Sequence, residues 1–361
     1  MGRYVEYLLS NIKECANRIL FMVNGEIDEK GKQSVLKYTS EIYVRKNTGF
    51  DVGAYKIALL DCLYQDLSNY DEVIFCNNTF YGPFKRLKDI FFEMKRRQAC
   101  DFWGMSYIQN NFANHVQSYL MVFGRKIIER GLLQQYFSKY VDENLLDIKF
   151  LYFTFEAGFF RFLTYENGMR FGCYSDIENR NIYSDASACL RICHLPILKR
   201  KSAARESYDK NSLINALKFI KEETDYDVSI ILDDLKANYD IEIEKKDFDG
   251  EYRMEAKKGK VFVSCCTPEK IRNFIESDTF YIMGAGGIAT TIYWLYAKDS
   301  PNFLGFVVSD QHKIGNKCYL EKAIYKLSEI EAGHRIIVAM NPVHSEEVRF
   351  SLHEYETLYI I

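Results

Sequence analysis

Several short polar groups follow directly on apolar runs, and their side chains define what each could do. Asn24 closes the run RILFMV, and Asn47, Gly49 and Asp51 follow EIYV after a basic pair. Asn77 and Asn78 close EVIFC and lead into Thr79, Phe80 and Tyr81. Amide, carboxylate and hydroxyl groups at such points hold polar ligands when the runs are strands that end on one rim. Farther along, Gly284, Gly286 and Ala289, with Gly287 between, fit the spacing G-x-G-x-x-[G/A], and Asp310 closes the following apolar run. A turn of that kind lets a phosphate approach the start of a helix. The alternative is a packing module that binds nothing.

Those groups need a framework to bring them together. Residues 1–16 carry Tyr4, Leu8, Leu9 and Ile12 at helical spacing. Strands are expected at 18–23, 41–44 and 72–76, with a polar helix over 30–37 and a second over 52–67 that Asp51 is placed to cap. This alternation implies βαβ units and a parallel sheet whose carboxyl ends gather the polar tips. A helix at 87–97, strands at 99–106 and 168–174, and helical residues 210–239 follow. Between 241 and 260 most residues are charged, the mark of a solvated connector. A second βαβ pattern begins at Lys260, with a strand over 260–266, a helix over 268–277, strands at 280–283, 304–308 and 335–340, and a last helix over 345–354. The expected organisation is a first domain over 1–205, a helical and charged connector over 206–259, and a small Rossmann-like domain over 260–361.

With 361 residues, 48% apolar and 27% charged, the chain is globular and long enough for more than one core. Its net charge of -3 supplies no positive field of the kind that binds nucleic acid, so that partner is excluded. The 10 cysteines form no CxxC pair and no secretory signal precedes them, which leads to the expectation of reduced thiols in the cytoplasm. Residues 280–297 run uncharged for about the length of a membrane span. Glycines and threonines inside the run favour a strand, a glycine turn and a helix instead.

The strings RKNTGFDVGAYK (45–56), YDEVIFCNNTFYGPF (70–84), DFWGM (101–105), HVQSYLMVF (115–123) and HLPILKR (194–200) resemble the rhamnan synthesis protein F family over roughly residues 1–240. The resemblance implies a bacterial glycosyltransferase with a GT-A-like nucleotide-diphospho-sugar transferase domain. That domain acts in assembly of rhamnose-containing cell-surface polysaccharide by an inverting reaction. The implied partners are a nucleotide-sugar such as dTDP-rhamnose and a lipid-linked or polymeric glycan acceptor, met at the inner face of the membrane. In such a sheet a strand precedes the first helix, whereas this sequence opens on the helix; truncation upstream is the expectation.

The same resemblance gives the residues roles. Asn24, Asn47, Gly49, Asp51, Lys56, Asn77, Asn78 and Tyr81 would form the donor site, although Asp51 read by itself is a helix cap and Gly49 a turn. Asn77-Asn78 stands where GT-A enzymes carry Asp-x-Asp to hold Mg or Mn against the diphosphate. Neutral amides are poorer ligands for a hard cation, so Asn78 is a departure that puts metal use in question. Lys199, Arg200 and Lys201 are then candidates for offsetting the leaving group's charge, with a solvated turn or a patch for anionic lipid headgroups as alternatives. Phe155-Glu156-Ala157 followed by Arg161 and Gly168 makes Glu156 the expected base, with Asp101 second. Their alternatives are an ion-paired helix residue and a strand-end hydrogen-bonding group. Trp103 and Tyr107 could stack on a sugar, and His115 could be a catalyst, though each is as readily a core residue. GAGGIA with GFVVSD also resembles the nucleotide-binding N-terminal domain of sugar O- and N-acyltransferases. Two other functions stay open here: a non-catalytic nucleotide-sugar binding or scaffold protein, and an NAD-dependent sugar-modifying enzyme.

Overall fold

The computed structural model describes residues 1–97, 100–109, 114–141, 152–177, 180–203, 210–243, 248, 268–312, 318–340 and 348–360. They form two α/β units. The first takes residues 1–108, 116–148 and 162–259, and the second takes 109–115, 149–161 and 260–361.

In the first unit the strands are, in chain order, β1 (Phe21–Asn24), β2 (Ile42–Arg45), β3 (Glu72–Cys76), β4 (Phe80–Tyr81), β5 (Phe102–Ile108), β6 (His115–Val116), β7 (Leu120–Gly124), β8 (Phe171–Ser175) and β9 (Leu198–Lys199). β1 and β2 pair in parallel around the connecting helix Glu29–Leu36, whose first turn is capped by Asp28. The expected single parallel sheet does not continue from there. β3 instead pairs antiparallel with β7, and β7 antiparallel with β5, while β8 lies parallel on β5. Two separate sheets result, and the larger is mixed. A small antiparallel pair, β4 with β9, sets Lys199 opposite Phe80 and so carries the 194–200 segment to the end of β3.

The helix Arg3–Lys13 explains how the layers are glued. Its spacing turns Tyr4, Val5 and Leu9 into one apolar cluster and Leu8 into another. The first cluster also takes Leu213, Leu217 and Ile220 from the helix Lys210–Glu223, and Ile231 and Leu235 from the helix Ser229–Tyr239. Those helices, expected as a connector, are therefore part of the first core, because each presents an apolar stripe that a solvated linker would leave in water. The charged run 244–260 lies outside the described residues except for Phe248.

The second unit holds β10 (Phe280–Met283), β11 (Phe303–Val308), β12 (Cys318–Tyr319), β13 (Lys322–Lys326), β14 (Arg335–Val338) and β15 (Glu356–Tyr359) in the order β12-β13-β11-β10-β14-β15. All neighbours are parallel except β12 with β13. Every residue of β10 is buried, as a strand covered on both faces requires. The uncharged run 280–297 resolves into β10, a glycine turn, the helix Gly287–Ile292 and a wider helical turn over Tyr293–Ala297. Among the described residues no helix is long and apolar enough to cross a membrane. The expected strand over 260–266 lies outside the described residues, and of the expected last helix the described part includes a tight turn over Arg349–Leu352.

Candidate functional site

Hydrogen bonds organise the carboxyl ends of β1, β2 and β3. Asn24 and Arg45 stand opposite each other at the ends of β1 and β2, and the Arg45 guanidinium donates to Asn24 Oδ1 at 2.5 Å. It donates also to the carbonyls of Phe50 at 3.2 Å and Thr48 at 2.6 Å, so the loop after β2 folds around it. The loop needs left-handed backbone at Gly49, φ 64°, and again at Phe50, φ 50°. For a bulky residue that conformation is costly, and the bonds from Arg45 help hold it.

A helix over Phe50–Ile57 begins at this point with Gly49 as its cap. Asp51, expected as the cap, is instead inside the first turn, where its Oδ1 accepts from the Val52 amide at 3.1 Å. Its Oδ2 accepts from the side-chain amide of Asn77 at 2.7 Å, which ties the helix to the end of β3. Asn77 Oδ1 accepts in turn from the Thr79 amide at 3.2 Å and its hydroxyl at 2.7 Å, and Lys199 Nζ donates to Thr79 Oγ1 at 2.6 Å. Lys199 is buried and sits 4.6 Å over the ring of Tyr119. Asn24, Asp51, Asn77 and the exposed Asn78 all line one cavity of about 1010 Å³.

A profile of rhamnan synthesis protein F matches residues 19–258, a span that contains this whole rim. The chain belongs to that family. Family membership places it in the synthesis of rhamnan, a polysaccharide. No curated protein and no solved structure matches the chain.

The other residues expected to bind a donor stand apart from the hydrogen-bonded rim or at its margin. Asn47 is exposed in the loop that Arg45 organises. Lys56 reaches the carbonyl of Val141 at 2.7 Å. Tyr81 and Arg200 belong to a buried cluster around Asp234: Arg200 Nη2 meets Asp234 Oδ2 at 2.8 Å, and the Tyr81 hydroxyl donates to the same oxygen at 2.6 Å. Burial and the neighbouring carboxylate raise the Tyr81 hydroxyl far above its ordinary value, so it stays a neutral donor. Lys201 lies in the turn Arg200–Ala203 that follows.

Asp101 precedes β5, which runs parallel to β3 because both oppose β7. It therefore lies at the opposite end of the sheet from Asn77. There its Oδ2 accepts from the Arg170 amide at 2.8 Å and from Lys126 at 3.3 Å, the strand-end arrangement that was the alternative to catalysis. Trp103 is buried edge-on against Phe91 at 5.1 Å, and Tyr107 packs on Phe171 at 4.8 Å.

Glu156 lies in the second unit, in the helical turn Tyr152–Ala157. Its carboxylate is 3.6 Å from Nε2 of the fully buried His115. Arg161 donates to the carbonyl of Leu295 and sits over the ring of Tyr296. In the same unit Gly284 has φ 117°, and a Cβ there would meet the Ala339 carbonyl oxygen at 2.8 Å, so the first glycine of the motif is demanded by packing. Gly286 caps the helix in extended conformation, and Gly287 opens it. The Asp310 carboxylate accepts from the Ser328 amide at 3.1 Å and hydroxyl at 2.6 Å, which holds it below its ordinary value.

Arg45, Thr79 and Asp234 are the structural partners that the motif strings did not single out. Arg45 opens the matching string and Asn77 precedes Thr79 by two residues, but only the fold shows which side chain turns toward which.

At the end of β3 the rim presents the amides of Asn77 and Asn78, poorer ligands for a hard divalent cation than carboxylates, while Glu26, Asp28 and Asp51 also line the cavity. Among the described residues no group of three or more His, Cys, Asp or Glu side chains is close enough to hold a metal.

Proposed function

We propose that this chain is an inverting glycosyltransferase that receives a nucleotide-sugar, of the dTDP-rhamnose kind, at the rim of Asn24, Asp51 and Asn77 and passes the sugar to a cell-surface polysaccharide acceptor. The observation that carries the reading is the unbroken hydrogen-bond chain from Asn24 through Arg45, the Gly49 loop, Asp51, Asn77 and Thr79 to Lys199. It sets polar groups from three strand ends at the mouth of one cavity. Membership in a family of rhamnan synthesis supports the choice of substrate.

In the reaction an acceptor hydroxyl attacks the anomeric carbon as the bond to the diphosphate breaks, with inversion. Asp51 and Asn77 hold ribose and sugar hydroxyls, since a carboxylate and an amide offer both acceptors and a donor. Lys199 and the opening amides of the helix Phe50–Ile57 offset the charge that grows on the departing diphosphate. For the hydroxyl proton the sequence nominates Glu156, from its place ahead of Arg161 and Gly168; in the second unit the imidazole of His115 stands beside it.

Calorimetric titration of the whole protein with dTDP-rhamnose, dTDP, UDP and GDP tests the binding site. Binding by one nucleotide class that Asn77→Ala weakens by about tenfold is expected. Absence of any nucleotide binding would overturn the reading. Transfer of labelled rhamnose tests the chemistry, and Glu156→Gln should lower it by about 100-fold or more while leaving donor affinity unchanged. A second reading, a non-catalytic nucleotide-sugar binding protein, is favoured by the paired amides at Asn77 and Asn78. It predicts tight donor binding with no transfer.

A further inference from the structure

The strand β2 is paired along one edge. Phe21 donates its amide to the Glu41 carbonyl at 2.9 Å, and Gly25 donates to the Arg45 carbonyl at 2.8 Å. The odd-numbered residues of this stretch therefore turn their backbone groups toward β1. By alternation the N–H and C=O groups of Ile42 and Val44 point the other way, along the outer edge. Among the described residues β1 is the one ladder partner of β2. No residue of β2 lines the cavity, so this edge is a different place from it.

Edge strands are ordinarily blunted by a charge, a proline or a bulge. Here the two central residues are Tyr43, 37% exposed, and Val44, 57% exposed. Their side chains point to opposite faces, so the middle of the edge is apolar on both. Arg45, the strand's one charge, is turned to Asn24 at the rim. Ile42 shares the face of Val44 and packs against the apolar cluster that holds Tyr4 and Leu9. The open stretch is short, because the carbonyl of Lys46, the next outward-turned residue, already accepts from the Thr48 amide at 2.9 Å.

We infer that a second copy of this chain pairs with this edge, β2 against β2, in a symmetric dimer whose joined sheet runs β1-β2-β2-β1. The register follows from which residues turn outward. In an antiparallel ladder outward-turned residues face one another, so Ile42 meets Val44 of the second copy, Val44 meets its Ile42, and Tyr43 meets its own counterpart on the twofold axis. About four ladder hydrogen bonds then use the open groups of Ile42 and Val44. The side chains agree with the symmetry. Exposed Val44 is set beside an isoleucine already packed on a core, the tyrosines make a cross-strand aromatic pair, and Glu41 comes opposite Arg45 with opposite charge. The two neighbouring registers lose this match: one sets Ile42 against Lys46 and Tyr43 against Arg45, the other Val44 against Ser40 and Tyr43 against Glu41. A partner must be apolar at these positions and run antiparallel, and the strand's own twofold copy meets both needs. A contact of this size is small beside a standard interface, so a Kd of about 1–100 μM is expected. The inference goes beyond the proposed transferase and does not depend on it.

Sedimentation velocity of the whole protein from about 1 to 300 μM tests the pairing, and a rise from one chain mass toward two is expected. Val44→Pro removes an outward N–H and spares the ladder to β1, which uses the odd-numbered residues. It should weaken association about tenfold or more with an unchanged circular dichroism spectrum. Val44→Lys, which leaves the backbone as it is and sets a charge on the edge, should do the same and serves if the proline variant fails to fold. Oxidative cross-linking reads the register. Tyr43→Cys is made together with Cys62→Ser, because the tyrosine hydroxyl reaches that thiol. It should yield a covalent dimer, since facing residues of a pair outside the hydrogen-bonded positions lie within disulfide reach. Val44→Cys with the same Cys62→Ser change should not, its two copies being diagonal neighbours about 7–8 Å apart. A single chain mass at every concentration, parent-like association of both Val44 variants, or failure of Tyr43→Cys to cross-link ahead of Val44→Cys would each overturn the inference. Nucleotide titration of the same samples reports on the rim separately, so failure of one proposal is not read as failure of the other.

Discussion

The hydrogen bond between Asp51 and Asn77 uses one carboxylate and one amide, and the difference between those groups sets the charge at the mouth of the cavity. Asn77→Asp would place two carboxylates about as close, and like charges at that range cannot both ionise without penalty. One of the pair should then hold a proton into the neutral range. The variant should be less stable than the parent at pH 8 and regain stability as pH falls toward 5, the opposite of the usual carboxylate response. Melting temperatures across that interval check this, and a pH-independent difference would refute it. A second test concerns Arg200, whose partner Asp234 is 5% exposed. Removing one member of a buried pair leaves the other uncompensated, so Asp234→Ala should cost about 3–5 kcal/mol in urea unfolding. Tyr81→Phe, which deletes a single donor to the same carboxylate, should cost about 1–2 kcal/mol. Effects of that size in stability would confirm a structural cluster, whereas an unchanged stability with lost donor affinity would return Arg200 to the donor site.

At the scale of elements, Arg18 works at the amino ends as Arg45 does at the carboxyl ends. Its guanidinium donates two hydrogen bonds to the Glu41 carboxylate ahead of β2, at 2.8 and 2.9 Å, and reaches Asp66 and Tyr70 ahead of β3. The guanidinium holds the Glu41 carboxyl below its ordinary value. A lowered folded value means the pair's stability is fully present above the unfolded value, about 4.3, and is lost as pH falls through the folded one. Glu41→Gln should therefore melt lower than the parent at neutral pH, by the equivalent of about 1 kcal/mol, and the gap should close below about pH 4. A gap that persists in acid would assign the loss to packing. Neither arginine stood out in the sequence, because each works through partners far away along the chain. What was legible were the elements with a clear period or punctuation: the helix from Arg3, the strands ending at Asn24, Arg45 and Cys76, and the glycine turn after Met283. Pairing was not legible. LMVF in β7 and EVIFC in β3 are both short apolar runs, and nothing local says that they pair, that they run antiparallel or that β1 stands apart from β3.

For the molecule as a whole, the division of the chain differs from a simple succession of domains. Residues 109–115 and 149–161 are counted with the C-terminal sheet, and 162–259 with the N-terminal one, so each unit is assembled from segments distant in sequence. Contiguous domains are what composition and charge runs can reveal; interleaved ones require knowledge of which apolar stripes meet. Each unit has its own apolar clusters, so each should have its own cooperative transition. Gly284 and Gly286 allow a local test. A methyl group at Gly284 would be forced against the Ala339 carbonyl at a left-handed φ, while at Gly286 nothing stands within 4 Å. Gly284→Ala should destabilise by about 1–3 kcal/mol and Gly286→Ala by less than about 0.5 kcal/mol. In scanning calorimetry the first substitution should lower only the transition whose amides, by hydrogen exchange, belong to β10 and β14, with the β3 and β7 amides unmoved. A shift of both transitions together would show that the two units unfold as one, and a loss at Gly286 equal to that at Gly284 would show that packing against Ala339 is not what the first glycine serves.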